Sequence, residues 1–217
     1  MKAHELSRFL APLFLSKVEA FHGDRNLQSF VSDALRRYRI ASFVETGTFR
    51  GDTLLWLAAK HPEIECLSSE IQHAYFVCAK LRTLFRPNAA VFRKDSRSFI
   101  REIRRIVHDP VLFWLDAHWG NDWPLLDELG TVQELYRSCL VLIDDFQIPD
   151  RPGFGFDTYG REPLNLEYIS AHLRRECEVW LADYEPETDS RGVCAIYIGL
   201  KGVWSNTFKR VSIRPSL

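Results

Sequence analysis

The chain of 217 residues is predicted to adopt an α/β fold with a doubly wound, mostly parallel sheet. Two observations predict this fold: short apolar runs alternate with helical segments, and every apolar run ends in an acidic residue. The predicted strands are 41–44, 65–69, 90–93, 111–115 and 139–143, and the helices between them are 53–60, 72–85, 99–107 and 125–136. One helix between successive strands is the usual connection in a parallel sheet.

The flanking segments complete a single predicted domain, 1–217. N-terminal helices occupy 1–38, including helix 27–38 and an apolar, amphipathic segment at Phe9–Leu15 that packs on the domain or covers its site. The core spans 39–150 and is expected to hold the ligands. Region 151–217 contributes a loop, a helix at 166–175 and closing strands at 178–182 and 193–200, which give the sheet an antiparallel C-terminal strand.

Charge, hydropathy and cysteine content indicate which binding partners and which cellular compartment suit the chain. The net charge is −1, so long-range electrostatics offer nothing to a nucleic acid. The apolar N-terminal segment is too short to cross a membrane, although it is available for a homo-oligomer interface. The five cysteines lack metal-ligand or redox spacing, which indicates free thiols in a reducing, cytoplasmic compartment.

The most informative stretch is the glycine turn after the first strand, residues 43–53. The strand is followed by a tight turn and then by a helix that starts at about Asp52, a residue able to cap it. This arrangement leaves free backbone amides facing a small ligand. The glycines are four residues apart, unlike a dinucleotide motif, and a carboxylate here favours a cationic, amine-bearing ligand such as S-adenosylmethionine. The predicted cofactor-binding residues are Glu45, Thr46, Gly47, Thr48, Gly51, Asp52 and Thr53.

Acidic residues follow each later strand, and the carboxyl ends of parallel strands meet at one edge of a sheet. Glu70 is predicted to bind ribose hydroxyls; the alternative is an exposed acid that opens a helix. Asp95 and Ser96 suit an adenine ring, although Asp95 is equally placed to cap the next helix.

The last two strands end in three aspartates, Asp116, Asp144 and Asp145. Three carboxylates at the tips of buried strands repel one another unless a cation lies among them. Oxygen ligands favour Mg²⁺ or another divalent cation. The alternative is that Asp144 or Asp145 caps a turn and faces solvent.

His118 follows Asp116 by two residues and is the candidate general base, because a neutral imidazole accepts a proton near neutral pH. The alternative is a structural histidine that packs near Trp119 and Trp123.

Together these motifs resemble class I S-adenosylmethionine-dependent methyltransferases, which have a Rossmann-like fold. More narrowly, they resemble the metal-dependent macrocin O-methyltransferase family, whose members act on sugar hydroxyls. The resemblance spans roughly residues 40–150 and implies that Asp116, Asp144 and Asp145 hold the metal. It places His118 where the family commonly has an acidic base. It also implies an O-methyltransferase that uses S-adenosylmethionine and Mg²⁺ to methylate a sugar or small polyhydroxylated metabolite.

The glycine- and aromatic-rich loop 151–160 is suited to covering such an acceptor. Asp157 and Tyr159 are the candidate acceptor contacts, and plain loop packing is the alternative. Two other functions stay open: a metal-dependent glycosyltransferase, which also uses paired aspartates near a nucleotide, and a noncatalytic nucleotide-binding module on the same fold.

Overall fold

The structure is a computed structural model that describes residues 19–118, 122–187, 190–203 and 205–212. The strands are β1 Ser42–Thr46, β2 Glu65–Ser69, β3 Ala89–Phe92, β4 Val111–Leu115, β5 Cys139–Ile143, β6 Thr158–Tyr159, β7 Glu162–Pro163, β8 Cys177–Ala182, β9 Cys194–Ile198 and β10 Phe208–Val211. The α-helices are α1 Arg25–Arg37, α2 Asp52–Lys60, α3 His73–Arg82, α4 Ser96–Ile103, α5 Leu125–Leu135 and α6 Leu166–Ser170, and a 3-10 turn, Ala20–Gly23, precedes α1.

Eight of the strands form one sheet in the order β10-β8-β9-β5-β4-β1-β2-β3. Strands β1 to β5 pair in parallel, whereas β9 pairs antiparallel with β5 and with β8, and β10 pairs antiparallel with β8. The predicted doubly wound, mostly parallel sheet with antiparallel closing strands is therefore confirmed. The strand order reverses between β1 and β4, the position at which open sheets of this kind bind ligands.

The C-terminal region departs from the prediction in three places. The helix α6 ends at Ser170, five residues before its predicted end. The strand β10 was not predicted, because Lys209 and Arg210 make this short run polar; both are exposed on the last strand of the sheet, where charge discourages further pairing. The predicted loop 151–160 ends in the small hairpin of β6 and β7, which continues to Pro163. The N-terminal segment Phe9–Leu15 lies outside the described residues. No helix in the described ranges is both long and apolar enough to cross a bilayer.

The centre of the sheet fixes the strand ends in place. Every residue of β4 and β5 is buried, and helices cover both faces, which explains why these strands are continuously apolar. Trp114 of β4 packs edge-to-face against Phe21 from the 3-10 turn, with ring centroids 4.8 Å apart. A fully buried side chain of this kind contributes about 1.5–3 kcal/mol, so the frame beneath the strand ends is rigid.

The turn after β1 depends on two glycines with left-handed backbone. Gly47 has φ +81°, and a Cβ atom there would lie 2.5 Å from the backbone oxygen of Asp116. Gly51 has φ +78° and is the N-cap of α2, so Asp52 is the first helical residue and not the cap that the sequence suggested. The Asp116 amide donates to the carbonyl of Thr46 at 3.2 Å, which ties the ends of β1 and β4 together.

We expect Gly47→Ala to lower the free energy of unfolding by about 1–3 kcal/mol, because a side chain there needs both a strained backbone and movement of Asp116. The matched control is Gly130→Ala in α5, where nothing lies within 4 Å of the added Cβ. That change should be neutral or stabilising by about 0.5–1 kcal/mol. Urea denaturation measures both variants, and equal effects would contradict the close approach at Gly47.

Candidate functional site

A cavity of about 630 Å³ opens at the carboxyl ends of β1 to β4, and we call it the strand-end cavity. Its size is within the range of about 300–1,000 Å³ that is typical of small-molecule sites. Its wall includes seven residues that the sequence predicted for the site: Gly47, Glu70, Asp95, Ser96, Asp116, His118 and Asp145. The aromatic rings of Phe49 and Tyr75, 4.4 Å apart, lie at the same wall.

Glu70 organises the floor of the strand-end cavity. It is only 6% exposed, so it is not the solvated helix-opening acid of the alternative interpretation. Its two carboxylate oxygens accept hydrogen bonds from the backbone amides of Phe49, at 2.8 Å, and Gln72, at 2.7 Å. Burial raises the pKa of Glu70 and these hydrogen bonds oppose the shift. The side chain therefore links the glycine turn to the loop after β2.

The alternatives for Asp95 are compatible with each other. Asp95 caps α4 by accepting from the Arg97 amide at 2.9 Å, and it also lines the strand-end cavity. The capping explains why α4 begins at Ser96, three residues before the predicted start.

Five of the predicted cofactor-binding residues lie next to the glycine turn but do not line the strand-end cavity. Glu45 is 2% exposed and accepts from Ser68 Oγ at 2.5 Å, and burial raises the pKa of Glu45 to about 8. Asp52 pairs with Arg82 at 2.7 Å. The remaining three are Thr46 and Thr48, which are buried, and Thr53, whose Oγ1 accepts from the Phe21 amide at 3.2 Å.

Asp116 and Asp145 line the strand-end cavity, whereas Asp144 is buried and does not line it. The structure does not gather the three aspartates into one set of ligand atoms; they fall into two sets that share Asp145. His22, Asp144 and Asp145 form one set, and Asp116, His118 and Asp145 form the other; within each set all ligand atoms lie within 4.8 Å of one another. Burial, with the neighbouring charge of Asp144, raises the pKa of both Asp116 and Asp145. Carboxylates this close together repel one another when ionised, and a cation among them would relieve that repulsion.

Asp144 is the most enclosed of the three. It is 2% exposed, and its Oδ2 lies 2.6 Å from His22 Nε2. Its other oxygen, Oδ1, is buried without a hydrogen-bond partner among the described residues. Burial lowers the pKa of His22, but the charge and hydrogen bond of Asp144 outweigh it and raise that pKa to about 9. A buried carboxylate oxygen without a donor is costly, and a bound cation would satisfy it.

Arg191 brings a further positive charge to the aspartates. Its guanidinium Nε donates to Asp145 Oδ1 and its Nη2 to Asp157 Oδ1. The candidate acceptor contact Asp157 is thus placed beside Asp145. The other candidate, Tyr159, packs between Trp123 and Tyr168, with ring centroids 4.0 Å and 4.7 Å away.

The position of His118 is compatible with both interpretations, and its role as the base stays a prediction. Its ring stacks on Trp123 at 5.3 Å, as a structural histidine would, yet the side chain is exposed and its nitrogens belong to the set with Asp116 and Asp145. Trp119 lies outside the described residues.

A second cavity, of about 720 Å³, lies beside the loop after β5, and we call it the loop cavity. Its polar wall residues include Asp157, Ser190 and Arg191. Three residues line both cavities: His22, His118 and Asp145. Two ligands, one in each cavity, would therefore meet at the edge of the acidic cluster.

Among the residues that the sequence did not predict for the site are three titratable ones close to the aspartates: His22, Arg191 and Glu128. His22 and Arg191 reach the site from opposite ends of the chain, and their sequence surroundings give no signal for it. Glu128 has a signal, because Leu125, Leu129 and Val132 place it on the apolar face of α5. Glu128 is fully buried behind the cluster, and neither carboxylate oxygen makes a hydrogen bond in the described part of the chain.

Comparison with known proteins identifies the fold. No protein-family model and no curated protein matches the chain. Among solved structures, an O-methyltransferase from Bacillus cereus in complex with SAH is 14% identical, with a TM-score of 0.59 over 91% of this chain and 92% of that one. The O-methyltransferase TomG from Streptomyces achromogenes, involved in tomaymycin synthesis and solved with SAM, is 16% identical, with a TM-score of 0.58 over 91% of each chain.

These similarities show that the chain has the fold of class I S-adenosylmethionine-dependent methyltransferases. At such low identity they establish the fold alone, and the narrower resemblance to the macrocin family stays a prediction.

We expect Glu128→Gln to make the protein more stable at pH 8 and to leave its stability at pH 4 unchanged. Burial raises the pKa of Glu128 from 4.5 to about 7, so between these values the folded protein keeps a proton that the unfolded chain releases. Stability therefore falls as the pH rises through this window, by up to about 3 kcal/mol at 1.4 kcal/mol per pKa unit.

Urea denaturation at pH 4, 6 and 8 measures the difference between variant and wild type. Glu134→Gln, an exposed position on the same helix, is the control and should show no such growth with pH. A difference that does not increase between pH 4 and 8 would mean that Glu128 is not buried as a protonated acid.

Proposed function

We propose that this protein is an S-adenosylmethionine-dependent O-methyltransferase that acts on a hydroxyl of a sugar or other small polyhydroxylated metabolite, with a divalent cation. The observation that carries the proposal is the meeting of the two cavities at His118 and Asp145. A methyl donor in the strand-end cavity and an acceptor in the loop cavity would bring their reacting atoms together there. Transfer by direct displacement needs this proximity and alignment.

The strand-end cavity fits the donor. Glu70 is held at its floor by two amides and faces the position of a ribose in open sheets of this type. Asp95 and Ser96 are placed for the polar edge of adenine, and Phe49 and Tyr75 offer flat surfaces. The acidic surroundings favour a sulfonium cation and an ammonium group over a phosphate.

The loop cavity fits a hydroxylated acceptor. Arg191 supplies donors, Asp157 supplies acceptors, and Ser190 supplies a hydroxyl, which together suit a ligand rich in hydroxyl groups. We propose that a ring nitrogen of His118 takes the proton from the acceptor hydroxyl. The oxygen forms a bond to the methyl carbon as the carbon–sulfur bond breaks, and S-adenosylhomocysteine leaves.

The donor set at the junction also fits a divalent cation. Asp145 belongs to both sets of ligand atoms, so it could share a cation with Asp144 on one side or with Asp116 on the other. The supporting observation is Asp144 Oδ1, which is buried and has no hydrogen-bond partner among the described residues. When bound, such a cation stabilises negative charge on the acceptor oxygen. Asp144 and Asp145 follow β5 directly, so the rigid centre of the sheet holds them in position.

We expect Glu70→Gln to weaken binding of S-adenosylhomocysteine by about tenfold or more, because a charged hydrogen-bond acceptor contributes about 1.5–3 kcal/mol. Isothermal titration calorimetry measures the dissociation constants. Glu65→Gln is the control, since Glu65 is exposed at the opposite end of the same strand and should leave binding unchanged. Tighter binding of a nucleotide sugar than of S-adenosylhomocysteine would instead favour the glycosyltransferase.

We expect Asp144→Asn and Asp145→Asn each to lower the rate of methyl transfer by about 100-fold or more, the effect of losing one strong electrostatic contact at a reacting oxygen. The assay follows formation of S-adenosylhomocysteine with a panel of sugars, before and after treatment with a chelator. Asp150→Asn, an exposed position in the following loop, should keep the full rate. A wild-type rate that is insensitive to chelator would contradict the role of the cation.

A further inference from the structure

We propose that His22 is a nitrogen ligand of the cation, together with Asp144 and Asp145, and that the site therefore prefers a first-row transition ion such as Mn²⁺, Fe²⁺, Co²⁺ or Zn²⁺ over Mg²⁺. This inference rests on the cation that the proposed function includes, and it adds a ligand from a segment far from the aspartates in sequence. Imidazole suits transition ions, whereas Mg²⁺ prefers an all-oxygen set.

The distances suit a shared ion. The ligand atoms of His22, Asp144 and Asp145 lie within 4.8 Å of one another. Two ligands on opposite sides of one ion, each about 2.0–2.2 Å from it, are separated by about 4.0–4.4 Å, and adjacent ligands by about 3 Å, so only small side-chain rotations are needed.

Asp144 and Asp145 also have carboxylate oxygens available to bind a cation. Asp144 Oδ1 is buried and has no partner in the described structure, whereas Oδ2 makes the 2.6 Å contact with His22 Nε2. Arg191 contacts Oδ1 of Asp145, which leaves Oδ2 of that residue for a cation. A cation at this point would take the place of the direct contact between His22 Nε2 and Asp144 Oδ2, because imidazole binds metals through an unprotonated nitrogen.

The residues before and after His22 in the chain anchor the 3-10 turn, and this anchoring holds the histidine next to the aspartates. On the N-terminal side, Phe21 is 1% exposed and packs edge-to-face on Trp114 and on Trp56, with centroids 4.8 Å and 5.8 Å away. Its amide donates to Thr53 Oγ1. The histidine is therefore joined directly to a residue fixed in the core.

On the C-terminal side, Asp24 accepts from the Leu27 amide at 2.9 Å and from the Tyr184 hydroxyl at 2.7 Å. Phe21 and His22 themselves have left-handed backbone, with φ of 52° and 56°. This conformation costs roughly 1–3 kcal/mol per residue and persists only where the surroundings impose it. An incidental surface ion pair would not need a turn anchored in this way.

The test uses the full-length protein freed of metal, His22→Asn and MnCl₂ as the probe. Asparagine tolerates left-handed backbone, so the turn can persist, but it replaces the imidazole nitrogen with an amide oxygen. We expect Mn²⁺ affinity, measured by calorimetry, to fall about tenfold or more, the lower range for losing even an indirect metal partner. Mg²⁺ affinity should change little, so the ratio of Mn²⁺ affinity to Mg²⁺ affinity should fall by the same factor as the Mn²⁺ affinity.

Pulsed electron paramagnetic resonance of bound Mn²⁺ gives the direct readout. Wild type should show coupling to a ¹⁴N nucleus, which His22→Asn should lose. His118→Asn should retain it, which separates the two histidines of the site. His108→Asn, an exposed position before β4, is the surface control and should match wild type. Coupling that persists in His22→Asn, or that disappears in His118→Asn, would overturn the assignment.

Calorimetry with S-adenosylhomocysteine on the same samples separates failure of the His22 inference from failure of the proposed function. If wild type binds S-adenosylhomocysteine but neither Mn²⁺ nor Mg²⁺, the His22 inference is overturned while the methyl donor stands. If it binds Mn²⁺ with ¹⁴N coupling but no S-adenosylhomocysteine, the His22 inference stands and the proposed function fails.

Discussion

Concentrated negative charge at the carboxyl edge of the sheet is the constraint on which the site depends. Glu45, Glu70, Asp116, Asp144 and Asp145 all come from the ends of parallel strands, and Glu128 lies buried behind them. Taking carboxylates out of water is costly unless protons, hydrogen bonds or cations compensate. The protein uses each of these: amide donors for Glu70, raised pKa values for Glu45 and Glu128, and Arg191 and His22 for the aspartates.

The same constraint determines what the two cavities can bind. A cationic donor gains from the negative wall of the strand-end cavity, and an anionic nucleotide would be repelled by it. Arg191 offsets part of the acidic charge in the loop cavity, where it pairs with Asp157 and Asp145. The reacting ends of the two ligands would meet at His118 and Asp145, which line both cavities, and the buried strands β4 and β5 hold that point in place.

Sequence patterns predicted the parts of this arrangement that are local. Alternating apolar runs and helices gave the parallel sheet, and the acid after each strand located its functional edge, because the chain direction of a parallel strand fixes where its last residue lies. The contacts of Arg191 and His22 were beyond this reasoning, since residues distant in sequence approach only through tertiary packing. Glu128 was accessible in principle, as an acid on the apolar face of α5. Thr46 and Asp52 were predicted as ligand contacts because they belong to the glycine turn, whereas Thr46 is buried, Asp52 pairs with Arg82, and neither lines the strand-end cavity.

The most direct test of the account is a crystal structure of the protein soaked with S-adenosylhomocysteine and Mn²⁺, with anomalous diffraction to locate the ion. The account predicts S-adenosylhomocysteine in the strand-end cavity with its sulfur towards Asp145, and an anomalous peak bonded to Asp144 and Asp145. An S-adenosylhomocysteine molecule bound elsewhere, or aspartates that point apart with no peak between them, would contradict it.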